Sequence, residues 1–190
     1  MMTTPSKHLL AGTVAGLLMT LAGAAQAEVL PADLVAEIKT LGETWGKNPV
    51  IVAAVAQQNA TGMSQKAILE LDDKWRNTSG LAAFMEPYFD NQAADELARL
   101  ESNADYVMES FAMDNQGGIV GATNKTSDYW QGDEAKFTES FKGGSGAVHI
   151  GEIEFDDSAQ SYLVQVSVPV MKDGAAIGAI TIGIDIDSFE

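Results

Sequence analysis

The chain has 190 residues, of which 46% are hydrophobic and 20% are charged, a composition that fits one compact domain and excludes a fibrous or disordered protein. Its formal net charge of −16 disfavours nucleic acid and anionic membrane surfaces as partners, because their phosphate groups would be repelled. The absence of cysteine excludes disulfides, thiolate metal sites and a cysteine nucleophile.

The first 27 residues are typical of a secretory signal peptide. Lys7 and His8 precede a short apolar run, and A-Q-A at residues 25–27 offers the small-x-small site at which such peptides are cleaved. We expect the mature chain to begin at Glu28 and to form a single domain over residues 28–190. An uncleaved signal anchor is the alternative, and no later segment has the length of a membrane span.

Helical periodicity dominates the first half of the chain. Apolar residues between 34 and 41 fall on one helical stripe behind Pro31, which suits a first helical turn. Gly42, Gly46 and the pair Asn48-Pro49 interrupt this pattern before a second apolar run. The pattern predicts one long N-terminal helix with a buried second half, and leaves open a break near Asn48.

Two more helical stretches follow. Ser64 can cap a helix in which Ile68, Leu71 and Trp75 recur at helical spacing, and a third stretch runs from Phe84 to about residue 102. Trp75 and the adjacent Arg76 have two interpretations: core packing and a surface ion pair, or part of a ligand site.

From residue 105 the hydrophobic period changes to two, which is typical of strands. D-N-Q-G-G at residues 114–118 predicts a hairpin turn, and G-D-E-A-K-F-T-E-S-F predicts a short helix that ends at Gly143-Gly144. Turns near residues 157–158 and 172–174 separate three longer strands. Five strands are therefore expected.

Alternation assigns the faces of the last two strands. One face carries Tyr162 with the valines at 164, 166, 168 and 170 and the isoleucines at 180, 182, 184 and 186. The other face carries Leu163, Gln165, Ser167, Pro169, Thr181, Gly183 and Asp185. If the valine and isoleucine face meets the N-terminal helix, then Ser167, Thr181 and Asp185 point to the side where the loop of residues 126–136 would close over a pocket.

Several catalytic or metal sites lack support in the sequence. His149 is the only histidine after residue 28 and has no glycine-flanked serine elbow, so we interpret it as a surface strand residue. G-G-S-G at residues 143–146 lacks the lysine and hydroxyl order of a P-loop. Asp114 and its neighbours lack the spacing of an EF-hand, which favours a plain turn.

The 126–136 loop, T-S-D-Y-W-Q-G-D-E-A-K, combines aromatic and acidic residues that suit a small-molecule site. Asp128, Tyr129, Trp130 and Asp133 would form exposed walls and polar anchors, and a tryptophan beside acids suits an amine or quaternary ammonium ligand. The other interpretation is a hydrophobic plug surrounded by solvated acids. A hydrolase that uses the acids has no support from their spacing.

The order of these elements resembles the Cache family, the extracytoplasmic PAS-like sensor domains also called PDC domains. The resemblance rests on N-P-V-I-V-A-A-V, L-D-D-K-W-R, F-A-M-D-N-Q-G-G-I-V, T-S-D-Y-W-Q-G-D-E-A-K, V-S-V-P-V and I-G-A-I-T-I-G-I-D. It implies an α+β fold, in which a PAS-like five-stranded antiparallel sheet carries a long N-terminal helix on one face and a ligand pocket on the other.

The resemblance also implies site residues. Trp130 matches the pocket aromatic, and Asp185 matches the acid at the end of the last strand. Amino-acid binders of the family carry an arginine shortly before that tryptophan, and here Lys125 and Thr126 stand in this neighbourhood, which disfavours an α-amino acid. The expected ligand-binding residues are Trp75, Arg76, Asp128, Tyr129, Trp130, Asp133, Ser167 and Asp185.

These observations lead to the hypothesis of an exported, periplasmic sensor domain that binds a small metabolite without catalysis, cofactor or metal. The ligand would be an amine, a zwitterion or a small carboxylate, and a membrane-bound receptor, kinase or cyclase would receive the signal. A protein-interaction module that docks through its acidic surface is the alternative from another class. An enzyme that uses Asp133 and Glu134 is the third.

Overall fold

The computed structural model describes residue 30 and residues 32–156 and 161–188. The helices are α1 (Ala32–Trp45), α2 (Pro49–Thr61), α3 (Gln65–Arg76), α4 (Glu86–Phe89), α5 (Gln92–Glu101) and α6 (Ala135–Phe141), with a 3-10 turn at Lys142–Gly144. The strands are β1 (Val107–Met113), β2 (Ile119–Ala122), β3 (His149–Asp156), β4 (Ser161–Lys172) and β5 (Ala175–Asp185). The predicted signal peptide, the helix start at Pro31 and the turn at residues 157–158 lie outside the described residues.

The strands form one antiparallel sheet in the order β2-β1-β5-β4-β3. The long strands β4 and β5 pair along almost their whole length, and β1 pairs with the other edge of β5. The described residues thus have the α+β architecture with a five-stranded antiparallel sheet that was predicted. Its outer strands are β2 and β3.

One face of the sheet packs against α1, α2 and α5. Alternate residues of β4 and β5 are fully buried there, as the predicted alternation requires: Val164, Val166, Val168, Val170, Ile180, Ile182 and Ile184. Each such side chain contributes about 1.5–3 kcal/mol relative to an exposed one. This face therefore forms the larger hydrophobic core.

The opposite face carries a second core beneath α3, α6 and the 126–136 loop. Its buried members include Phe111, Met113, Ala179 and Phe137 from the sheet and α6. Ser167, Thr181 and Asp185 also project from this face, because their strand neighbours occupy the first. The predicted separation of the two faces is confirmed.

The N-terminal helical region is divided at Asn48. The Asn48 side-chain oxygen accepts hydrogen bonds from the N–H groups of Val50 (2.9 Å) and Ile51 (3.4 Å), and Pro49 occupies the first turn of α2. Both features favour a helix start. The break that the sequence left open is real, and α1 and α2 are separate helices.

Helix boundaries differ from expectation in two other places. Gly42 does not interrupt α1, because the helix continues to Trp45 and buries Gly42 against Val168. The third helical stretch is two helices, because Asn91 leaves helical geometry and caps α5. In the described part of the chain, no helix is long and apolar enough to cross a bilayer.

The β1–β2 connection is the plain turn that was predicted. Asp114 is buried, and its Oδ1 accepts the N–H groups of Gln116 (2.8 Å) and Gly118 (3.0 Å). An aspartate that bonds the backbone two residues further on is a common turn device. Both hydrogen bonds of Asp114 Oδ1 therefore stabilise the turn.

Candidate ligand-binding site

A groove of about 600 Å³ opens between the start of α6 and strands β3 and β4. We call it the α6 groove. Its polar lining consists of Glu134, Lys136, His149, Glu152, Glu154 and Gln165, and its apolar lining includes Ile150, Phe155 and Leu163. Clefts of this volume and mixed lining are typical of sites for small molecules.

The β3 wall of the groove carries two carboxylates on one face. Glu152 and Glu154 are two residues apart on the strand and are both exposed, and Glu154 pairs with Leu163 of β4. Because side chains at i and i+2 of a strand point the same way, both acids face the groove. A ligand that lies against Leu163 would meet two negative charges.

The α6 wall carries a paired cation. Lys136 Nζ lies 3.0 Å from Glu134 Oε2, and the lysine side chain is only 19% exposed. The same ammonium group lies 5.8 Å from the centre of the Phe111 ring. Glu134 therefore offsets the charge of Lys136, and both groups are held at the end of the 126–136 loop.

The polar floor of the groove depends on a glycine. Gln165 lines the groove, and its Nε2 donates to Glu109 Oε1 across β5 at 3.3 Å. Gly183 of β5 lies between these two residues in the sheet, and a Cβ at Gly183 would come within 2.6 Å of Glu109 Cγ. Only glycine leaves room for the Glu109 side chain to cross the central strand.

The electrostatics of the groove favour a cation. Its lining holds three carboxylates, from Glu134, Glu152 and Glu154, against the single ammonium group of Lys136. Two of these acids stand without an ion pair among the described residues. Together with the apolar side chain of Leu163, the arrangement can hold a positively charged group next to a hydrocarbon portion.

His149 lies in a strand, as the sequence predicted. It is the first residue of β3 and pairs with Ser167, and it is half-buried at the end of the α6 groove. The predicted strand assignment is confirmed, and the side chain keeps partial access to solvent along the groove.

The 126–136 loop is fixed to α3 by a residue that the sequence did not single out. Asp72 is buried, and its Oδ1 accepts the N–H groups of Tyr129 and Trp130, each at 3.0 Å. Its Oδ2 lies 3.1 Å from Nε of Arg76, whose side chain is 57% exposed. Arg76 is thus the ion pair partner of a buried anchor.

Trp75 and Tyr129 belong to the second core. Both are 0% exposed, with ring centres 5.9 Å apart, and Trp75 also stacks on Phe89 at 5.8 Å. The Trp75 indole N–H donates to the carbonyl of Thr126 at 2.9 Å. The expectation of a solvent-exposed tyrosine at 129 is wrong, because α3 and α4 close over it.

The other predicted loop residues have different surroundings. Trp130 is half-buried, and its indole N–H donates to the carbonyl of Gln116 at 2.7 Å. The carboxylate of Asp128 accepts a hydrogen bond from the Ser127 hydroxyl, and its carbonyl accepts one from Gln131 Nε2 at 2.9 Å. Asp133 is exposed to solvent.

The predicted strand residues lie deeper than the groove. The hydroxyls of Ser167 and Thr181 are 2.9 Å apart, and both residues are fully buried on the α6 side of the sheet. These two hydroxyls satisfy each other beneath α6.

Asp185, the last residue of β5, hydrogen-bonds the start of β4 and the residues that follow β5. Its carboxylate accepts hydrogen bonds from the hydroxyls of Ser161 and Ser188, each at 2.8 Å, and from the N–H of Asp187 at 2.9 Å. Burial alone would raise the pKa of Asp185, but these hydrogen bonds outweigh it and lower the pKa.

None of the eight predicted ligand residues is among those that line the α6 groove. Their role in binding stays a prediction. The sequence analysis missed Glu152, Glu154 and Lys136 as candidates. The signal for the two β3 acids was present, because G-E-I-E-F alternates like the neighbouring strands and places both on the face of Leu163. Within the described residues, no cluster of three or more histidine or carboxylate side chains could hold a metal ion.

No protein-family model and no curated protein matches this chain. Among solved structures, it is similar to the ligand-binding domain of the Campylobacter jejuni chemoreceptor Tlp3 in complex with 4-methylisoleucine, with 14% identity and a TM-score of 0.41 over 82% of this chain and 61% of that one. It is also similar to the sensor domain of the V. cholerae histidine kinase DctB, with 12% identity and a TM-score of 0.40 over 81% and 57%. The chain spans about three fifths of the length of these structures.

Proposed function

We propose that this protein binds a small organic cation in the α6 groove without converting it, and that it serves as an exported sensor domain. The observation that carries the proposal is the pair of carboxylates, Glu152 and Glu154, on the groove face of β3 next to Leu163. Glu134 already offsets Lys136, so the remaining acids are available for an ammonium group.

The binding mode follows from the lining. The ligand's ammonium group would donate charge-assisted hydrogen bonds to Glu152 and Glu154, and its hydrocarbon portion would pack on Leu163. Gln165 and Glu109 form a polar floor for a second donor. This places primary amines and diamines ahead of carboxylates as ligands.

The sensory role is supported by the resemblance to Cache domains. In this proposal the chain is exported to the periplasm and presents a ligand-dependent surface to a membrane-bound receptor, kinase or cyclase. The net charge of −16 favours a second candidate, a protein-interaction module that docks on a basic patch. Capture of partners at low salt that is abolished at about 0.5 M salt would favour this second candidate.

Substitution of the β3 acids tests the groove. The protein is titrated calorimetrically with putrescine, cadaverine, butylamine and butyrate, and we expect saturable binding of at least one amine. The double variant Glu152→Gln/Glu154→Gln should weaken that binding at least tenfold, because both anionic partners of the ammonium group are removed.

A matched control removes the same charge elsewhere. Glu70 of α3 and Glu86 of α4 are exposed and lie outside the groove, so Glu70→Gln/Glu86→Gln should leave amine affinity within about twofold. An equal loss of amine affinity in the two double variants would show that only the net charge of the protein matters, which would contradict a site in the groove. Loss of binding in Trp130→Ala or Asp185→Ala with retention in the β3 variant would instead favour the residues predicted from the resemblance.

A further inference from the structure

A second cleft, of about 490 Å³, lies between α2, the α4–α5 segment and β2. It shares no lining residue with the α6 groove. Apolar residues, among them Ala53, Ala54 and Val120, form part of its wall. We call it the amide cleft, because its polar lining is dominated by carboxamide side chains.

The amide cleft is uncharged. Among the described residues that line it, none carries a formal charge, although the protein has a net charge of −16. Its polar groups are those of Gln57, Gln58, Thr61, Tyr88, Asn91 and Gln92. A charged ligand would find no counterion there, so the lining selects against ions.

Two of the carboxamides are free to bind. Gln57 and Gln92 are exposed at the rim and make no side-chain hydrogen bond to the described residues. Asn91, in contrast, is fully used, because its oxygen caps α5 and its Nδ2 donates to the carbonyls of Pro87 and Val120. A free carboxamide presents a donor and an acceptor side by side, the complement of a lactam or pyrimidine edge.

The inner wall is rigid. Gln58 Nε2 donates to Asp114 Oδ2 at 2.9 Å and to the carbonyl of Ile119 at 3.1 Å. The Tyr88 ring lies edge-to-face against Tyr129, with centres 5.1 Å apart, and 5.7 Å from the centre of Trp75.

The contact at the base of this wall needs a glycine. A Cβ at Gly118 would lie 2.9 Å from the Tyr129 hydroxyl and 3.3 Å from Asp114 Oδ2. Burial raises the pKa of the Tyr129 hydroxyl, and neighbouring Tyr88 and Asp114 raise it further. The wall therefore stays neutral. Asp114 does not line the cleft, and its carboxylate accepts hydrogen bonds from Gln58 and from its own turn.

We propose that the amide cleft is a second ligand site, which takes an uncharged heterocycle with a lactam-type edge. Gln57 and Gln92 hydrogen-bond that edge, and the ring packs against Tyr88 and the alanines of α2. The site is separate from the α6 groove, since the two have no lining residue in common. A ligand bound in the amide cleft would contact Tyr88, and Tyr88 in turn contacts Trp75 and Tyr129 beneath the 126–136 loop.

Calorimetric titration with uracil and hypoxanthine tests this site. We expect saturable binding of at least one of them and a change in tryptophan fluorescence, because Trp75 contacts Tyr88. Gln57→Leu/Gln92→Leu should weaken binding at least tenfold while the fold is retained, since neither side chain has a partner among the described residues. Ala53→Trp, at an exposed lining position of α2, should abolish binding by filling the cleft.

Two controls make the result specific. Ala98→Trp places the same ring at an exposed position of α5 outside the cleft and should not change affinity, and Glu152→Gln/Glu154→Gln should not either. The proposal is overturned if neither probe binds up to about 5 mM, or if Ala53→Trp binds as tightly as the wild type. A loss of amine binding in the β3 variant, with uracil or hypoxanthine binding intact, would separate the two sites.

Discussion

Asp72 is the residue that connects α3 to the 126–136 loop. Its carboxylate is buried and accepts two backbone N–H groups of the loop, while Arg76 supplies the positive charge. A buried carboxylate is tolerated when such donors replace water. Asp72 therefore fixes the backbone of the loop at Tyr129 and Trp130 from a position 57 residues before Tyr129.

Removal of this carboxylate should destabilise the whole domain. We expect Asp72→Ala to lower the free energy of unfolding by about 3 kcal/mol, because two buried N–H groups lose their acceptor. Arg76→Ala should cost less than about 1 kcal/mol, since its side chain is mostly exposed. Urea denaturation of both variants measures the difference, and equal losses would show that Asp72 does not act through the loop backbone.

At the scale of elements, the carboxylate of Glu96 links α5 to the residue that caps α2. Glu96 of α5 accepts a hydrogen bond from Asn48 Nδ2, the cap residue of α2, at 2.6 Å and forms an ion pair with Arg99 at 2.7 Å. The hydrogen bond from Arg99, followed by that from Asn48, lowers the pKa of Glu96 to about 2. The helix break at Asn48 is thereby fixed against the neighbouring helix.

This contact predicts a pH dependence. Because the folded protein holds Glu96 at a pKa below its ordinary value of 4.5, the contribution of Glu96 to stability is complete above pH 4.5 and is lost as the pH falls towards 2. Urea denaturation at pH 6 and about pH 3 should show a smaller acid-induced loss in Glu96→Gln than in the wild type. Glu139→Gln, at an exposed position of α6, serves as the control and should keep the wild-type loss.

The charge of the whole molecule sets a further expectation. With 27 acidic and 11 basic residues, the folded chain repels itself, and salt screens this repulsion. The melting temperature should therefore rise between about 20 mM and about 0.5 M sodium chloride. A decrease of the melting temperature over this range would mean that specific ion pairs outweigh the general repulsion. The same increase in salt concentration should weaken amine binding in the α6 groove.

Local patterns in the sequence determined the elements of this protein. The two-residue alternation of β4 and β5 separates a core face from a second face, and Ser64 and Asn48 cap helices through their own side chains. Such features are encoded within a few residues, so they can be recognised without knowledge of the fold.

The site was decided by contacts between distant parts of the chain. Tyr129 looked like an exposed ligand residue, and only the packing of Trp75 and Tyr88 against it shows that it is core. Likewise, Glu152 and Glu154 became groove residues because α6 lies opposite β3. The periodicity of a strand gives the direction of its side chains, but which element they meet depends on long-range packing, and only the tertiary structure supplied that.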